Sequence, residues 1–245
     1  MQWLPLVATG AAVVRQTGAF AIESLKAIRD PTDADAVSAV GELSSLDSLE
    51  RVKSCMMADK RGRHLLKYQP IVGDEALEYS RSLAPTTFGF RYAAYMDRNH
   101  FTPNGRTAVR HIADPTLAYV MTRYRQCHDF LHTIAGCGRT VEEELAVKIL
   151  EWKHTGLPLG LLSLVGGAPH LTAAQRARVR LHWEWAADNA PCSRHGAPAV
   201  SMYLNVMWED MLARDYDDVV AHTGITPLPV FLAAREASSR AHAQL

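Results

Sequence analysis

Apolar residues along this chain recur at three- and four-residue intervals, and the segments they define end in helix-boundary residues. Asp30-Pro31 places a capping side chain and a first-turn proline before a helix over 32–42. Asp47 with Glu50 reads as a capping box opening a helix to about Met57. Asp74 opens a short helix, and Pro85-Thr86 opens another through about Arg98. Asp114-Pro115 opens the longest, which stops at Gly136. Thr140 with Glu143 forms a second capping box, for a helix ending at Gly156. Thr172 starts a helix to about Asp188, a further one is expected over Val200–Ala213, and a short one runs from Asp215 to Gly224. No stretch sustains the two-residue alternation of a half-buried strand. Linkers are short apart from 99–113 and 189–198. The expectation is all-α, a single helical domain over 1–245.

The ends read differently. Residues 4–14 are apolar up to Arg15, but eleven residues do not cross a bilayer that needs roughly 20. No charge precedes the run, as a secretory signal requires, and residues 1–22 lack the arginines of a mitochondrial presequence. A first helix packed on the core is expected, with a helix lying on a membrane as the alternative. The tail from Arg235 to Leu245 is rich in Ala, Ser and Arg and is expected to fray.

Composition narrows the functional classes. The 26 basic and 26 acidic residues cancel, which argues against a nucleic-acid partner. Four cysteines without a CxxC pair suit neither a disulfide framework nor a zinc ribbon. Eleven histidines are the unusual count.

Two of those histidines share a helix face. His128 and His132 are four apart in the helix that starts at Pro115, and Asp129 falls within the same arc of roughly 100°. Two imidazoles and a carboxylate on one patch suit a divalent metal such as zinc. A His pair at this spacing is also common with no metal, so the next helix matters. It begins with Glu142, Glu143 and Glu144. Val141, Leu145, Ile149 and Trp152 mark its expected buried side; Glu142 and Glu144 both flank that side, and Glu143 points away. If the chain folds back at Gly138, His132 lies six residues before the turn and Glu144 six after, which favours Glu144. Cys127, about 140° around from His132, reads as packing, and Cys137 reaches the site only from its rim.

His128-Asp129-x-x-His132, eleven residues and then Glu144 resembles the signature of the coenzyme Q (ubiquinone) biosynthesis protein 4 family. The stretch from Ala118 to His128, Thr155-Gly-Leu-Pro158, Thr87-Phe-Gly89 and Gly41-Glu42 are similar to the family's surrounding segments, and the likeness runs from about residue 4 to about 228. The resemblance implies an all-helical protein of ubiquinone synthesis with His128, Asp129, His132 and Glu144 as ligands of Zn²⁺. It implies removal of the C1 carboxylate of a 4-hydroxy-3-methoxy-5-polyprenylbenzoate, giving a polyprenyl methoxyphenol and CO₂. It further implies polyprenylated benzoate and phenol intermediates as partners, a complex with other ubiquinone-biosynthesis enzymes, and a peripheral place on the matrix face of the mitochondrial inner membrane, or on the cytoplasmic membrane face in a bacterium. A homo-oligomer is compatible with it. Tyr124 and Arg125, one turn before His128, are the nearest candidates in sequence for delivering a proton to C1.

Two other readings compete. One is a non-catalytic scaffold that binds polyprenyl intermediates, with a structural metal. The other is a helical phosphohydrolase, which needs further histidines; His64, His100 and His111 are available. For the isoprenoid tail, Gly156 to His170 is apolar, uncharged and interrupted by Gly and Pro, and Arg176, Arg178 and Arg180 follow. That pairing suits peripheral contact with anionic lipid. The Tyr92, Tyr95 and Met96 side of its helix reads as a plain core stripe.

Overall fold

The longest helix organises the molecule. In the computed structural model, which describes residues 18–30, 33–191 and 201–242, α7 spans Pro115–Ala135. Asp114 caps it by accepting from Leu117 N (2.9 Å), Pro115 occupies its first turn, and Gly136 ends it at φ +64°, where a side chain is strained. It is buried on nearly every side, so it carries little amphipathic pattern and sits at the centre of the fold.

Around it lie α1 (18–29), α2 (Ala34–Ser44), α3 (Leu46–Ala58), α4 (Lys60–Tyr68), α5 (Asp74–Arg81) and α6 (Phe88–Arg98) on the N-terminal side. After α7 come α8 (Val141–Thr155), α9 (Pro158–Gly167), α10 (Ala173–Asp188), the four-residue α11 (Trp208–Met211), α12 (Tyr216–Thr223) and α13 (Leu228–His242). The described residues hold no strand; a lone bridge, Thr87 with Asp215, fastens the start of α6 to α12. The all-α expectation holds. The helix proposed for 4–14 lies outside the described residues.

Several local expectations are corrected. The cap of α2 is Asp33, which accepts from Ala36 N at 3.0 Å, not Asp30. Asp47 and Glu50 form no capping box, because the helix starts earlier, after Ser45, and Glu50 pairs with Lys53 instead. The cap of α6 is Thr87. The helix α4 is not evident in the charged run Lys60–Tyr68; Asp59 opens it by accepting from Arg61 N and Gly62 N. The glycines that seem to break 156–170 instead permit α9 to cross α8: a Cβ on Gly160 would lie 2.6 Å from Lys148 O, and one on Gly167 2.9 Å from Leu145. That close cover also changes the buried side of α8, where Leu145 and Ile149 are buried but Val141 is exposed and Trp152 only half-buried.

Two larger corrections follow from long-range contacts. The expected Val200–Ala213 helix does not form over its described part; Tyr203–Asn205 is a 3₁₀ turn and only Trp208–Met211 is α-helical. The carbonyls of Leu204 and Val206 turn instead to the buried Arg123 guanidinium of α7, at 3.1 and 2.6 Å. Over its described part the tail is helical past Arg235. It continues α13 to His242, with Phe231 and Leu232 against the core and Arg235 across Glu184 and Asp188 of α10 (3.5 and 3.8 Å).

Candidate metal centre

The three neighbouring glutamates of α8 have separate fates. Glu143 closes the capping box, accepting from the N–H groups of Gly138 and Thr140 (2.9 and 3.1 Å). Glu142 takes both guanidinium arms of Arg178 at 2.7 Å. Glu144 is left facing α7, with one carboxylate oxygen 3.0 Å from His132 Nε2 and the other 3.4 Å from His128 Nε2. The two Nε2 atoms are 3.2 Å apart. The turn at Gly136–Thr140 thus brings His132 and Glu144 to one level, as the fold-back predicts.

The imidazoles are oriented from behind. His132 Nδ1 lies 3.4 Å from Cys137 O, a group that only accepts, so Nδ1 carries the proton. His128 Nδ1 lies 2.8 Å from Glu151 Oε1 and donates to it. Both Nε2 lone pairs therefore point at the Glu144 carboxylate, an arrangement that repels without a cation and binds one readily. A zinc ion with bonds of about 2.0–2.2 Å sets its tetrahedral ligands roughly 3.3–3.5 Å apart. The observed separations of 3.0, 3.2 and 3.4 Å lie at or up to 0.3 Å inside that set, so the three groups need open only slightly to admit the ion. Among the described residues, His128, His132 and Glu144 are the group of His, Cys, Asp or Glu side chains close enough to share an ion. His132 is fully covered, whereas His128 and Glu144 are 22% and 35% exposed and leave one side of the cluster accessible.

Electrostatics support a cation. Burial opposes ionisation of Glu144, but His128 and His132 in their protonated forms, together with Lys148, outweigh it and hold the carboxyl well below its usual range, so the carboxylate is drawn to positive charge. Burial likewise opposes ionisation of Glu151, which Lys148 and His128 nonetheless hold at about 2. Burial, with Lys148 nearby, pushes the His128 pKa down and favours the neutral, ligating imidazole. With neutral imidazoles, two carboxylates face one ammonium, a net negative cluster.

Asp129 is not part of this group. Its carboxylate is nearly buried and pairs with Arg106 from the 99–113 linker. Tyr124 donates to Glu151 Oε2 at 2.6 Å, and burial raises its hydroxyl well above the ordinary range. Arg125 faces away, bonded to Glu42 (2.6 Å) and to the carbonyls of Thr107 and Ser38. Cys127 is buried packing, with burial lifting its thiol to about 12, and Cys137 contributes only its carbonyl. Tyr92 and Met96 are core, and Tyr95 stacks on the His132 ring at 5.1 Å. His64 packs at a tilt against Tyr68, and neither His100 nor His111 joins the cluster. Of the arginines after α9, Arg178 and Arg180 are paired with Glu142 and Glu184.

Sequence reasoning missed Lys148, Glu151, Arg106 and the hub at Glu42. Glu144, Lys148 and Glu151 are spaced i, i+4, i+7, a charged stripe along an otherwise buried helix that would have revealed the first two. Nothing local marks Arg106, and the Gly41-Glu42 likeness gives Glu42 no role; their partners lie 23 and up to 83 residues away.

An all-α domain with a two-histidine, one-glutamate cluster on a helical hairpin defines a candidate metalloprotein. The chain matches the family described as coenzyme Q (ubiquinone) biosynthesis protein Coq4 over residues 9–229, and it belongs to that family, whose members take part in ubiquinone biosynthesis. It is 79% identical over 185 residues to the mitochondrial ubiquinone biosynthesis protein COQ4 homolog of Leishmania infantum, covering 76% of this chain and 99% of the relative. The Trypanosoma brucei brucei homolog, also named mitochondrial, is 48% identical over 226 residues, 92% of this chain and 91% of its own. A crystal structure from Nostoc punctiforme, of a protein provisionally named for ubiquinone biosynthesis, shares the fold at a TM-score of 0.64 and 13% identity. It covers 86% of this chain and 98% of that one. No helix among the described residues is long and apolar enough to cross a membrane.

Proposed function

We propose that this protein removes the C1 carboxylate of a 4-hydroxy-3-methoxy-5-polyprenylbenzoate in ubiquinone synthesis, with Zn²⁺ held by His128, His132 and Glu144 and joined by Asp129 once that carboxylate leaves Arg106. The observation that carries this reading is the convergence of His128 Nε2, His132 Nε2 and the Glu144 carboxylate within 3.0–3.4 Å of one another. A bound zinc supplies Lewis-acid stabilisation of a carboxylate or phenolate. The exposed edge at His128 and Glu144 favours catalysis over a structural metal, since structural sites are closed and catalytic sites keep an open position.

In the reaction the bond between C1 and its carboxyl carbon breaks, CO₂ leaves, and the electron pair stays on C1 until a proton arrives. Tyr124 is the better placed of the two proton-donor candidates, because its hydroxyl joins Glu151, Lys148 and His128 in one hydrogen-bonded chain. Arg125 acts by position: it fastens α2 and the 99–113 linker to α7. Leu161, Leu162 and Val165 of α9 are exposed apolar residues, and they support a peripheral membrane contact beside the site. The mitochondrial names of the relatives support a mitochondrial place; the matrix side of the inner membrane, in a complex with other enzymes of the pathway, is the position we propose within it.

The test is CO₂ release from a short-tailed polyprenyl benzoate by the purified protein, with and without a chelator. Release that the chelator and His128→Ala both abolish is expected. If His128→Ala loses its metal while quinone production and complex assembly persist, the scaffold reading replaces catalysis.

A further inference from the structure

Beside the metal stripe, α7 carries a second one. Thr122, Arg125, Gln126 and Asp129 are spaced i, i+3, i+4, i+7. The first three line a half-open cavity of about 180 Å³, whose other walls are Pro103, Asn104 and 106–109 with Ile71 and Val72. Arg106 lines the same cavity and reaches across to Asp129. A cavity of about 150 Å³ takes a benzene ring, so this one accommodates a single substituted aromatic ring.

Its polar groups specify that ring. The bonds of Arg106 to Pro103 O and Asp129 use two of the five N–H donors of a guanidinium. Gln126 is 5% exposed; its amide N–H donates to Val72 O, but its Oε1 is buried with no hydrogen-bond partner. A site with guanidinium donors and one orphan acceptor fits a carboxylate together with a hydroxyl.

The geometry points to this cavity as an aryl-carboxylate subsite, in which the ligand's carboxylate takes the place of Asp129 on Arg106 and a ring hydroxyl donates to Gln126 Oε1. The exchange replaces one carboxylate by another, so the guanidinium is never left unpaired. It also frees Asp129, which is one residue after His128 and three before His132 on the same helix. Acid binding and metal binding therefore reinforce one another, each tightening the other by the same factor. The choice of a hydroxybenzoate as the ligand rests on the reaction proposed above.

The experiment uses the full chain stripped of metal and measures Co²⁺ binding by calorimetry and by cobalt visible absorption. The probe is 4-hydroxybenzoate, with uncharged 4-hydroxybenzamide as its control. Co²⁺ binding is expected to tighten about fivefold or more with the acid and to be unchanged by the amide. Asp129→Asn is expected to keep acid binding and lose the coupling, and Arg106→Lys to weaken acid binding about tenfold or more while Co²⁺ still binds. Equal Co²⁺ affinity with and without the acid, or equal effects of acid and amide on the wild-type protein, overturns the subsite. Coupling without CO₂ release from the prenylated substrate leaves the subsite standing and overturns the decarboxylase reading; CO₂ release without coupling does the reverse.

Discussion

Helix α7 buries two charged clusters only five residues apart, and they are built on opposite plans. At Arg123 the guanidinium is wholly enclosed and its donors meet acceptors on Leu204, Val206 and Glu209. At His128 the donors point outward to Glu151 and Cys137 O is met by His132, while three acceptors are left facing one another. The first plan joins distant segments of the chain and accommodates nothing further. The second leaves a binding deficit that only a cation fills. Burial alone does not separate a structural charge from a functional one; the match of donors to acceptors does.

The comparison can be broken at its sealed half first. Arg123→Met should lose about 3–5 kcal/mol in urea unfolding, since it strands Glu209 and two carbonyls. A loss below 1 kcal/mol would show that the cluster is dispensable to folding. His154 belongs to the same half, because Tyr203 N donates to its Nδ1 and its Nε2 faces Asn189 O at 2.8 Å. Burial holds its pKa at about 4, against about 6.5 when unfolded. Stability from His154 is therefore complete above pH 6.5 and declines as pH falls toward 4, by on the order of 3 kcal/mol. Subtracting the urea profile of His154→Gln from that of the wild type isolates this slope, and parallel profiles would refute it.

The open half predicts a different pattern. Zinc at a hundred times its Kd should stabilise the wild type by about 2.7 kcal/mol and Glu144→Gln hardly at all, each measured against its own metal-free form. Equal stabilisation of both proteins by zinc would remove Glu144 from the ligand set. The smallest effect is expected at Glu151, which orients His128: Glu151→Gln should weaken zinc binding by about 10- to 100-fold in calorimetry. An unchanged affinity would mean the imidazole needs no partner.

Much of this was legible from local pattern. Asp114-Pro115 and Gly136 bound α7, and Thr140 with Glu143 opens α8, because caps act within one turn of the residues they serve. The same pair of helices places His132 opposite Glu144, so the heart of the candidate centre followed from two caps and a turn. What failed was non-local. The apolar run at 200–213 reads as helix until Arg123 draws the Leu204 and Val206 carbonyls out of register. The glycines of α9 read as breaks until α8 lies against them.

By itself, then, the sequence determined that the protein is helical, where its central hairpin starts and turns, and which two histidines and which acidic cluster meet across it. Helix boundaries and i,i+4 faces depend on neighbours in the chain, and those are written there directly. Only the tertiary structure decided that Glu142 goes to Arg178 and that Asp129 is held by Arg106 rather than joining the histidines. Each of those choices matches a buried charge to a partner on another element, and such a match exists only once the elements have packed.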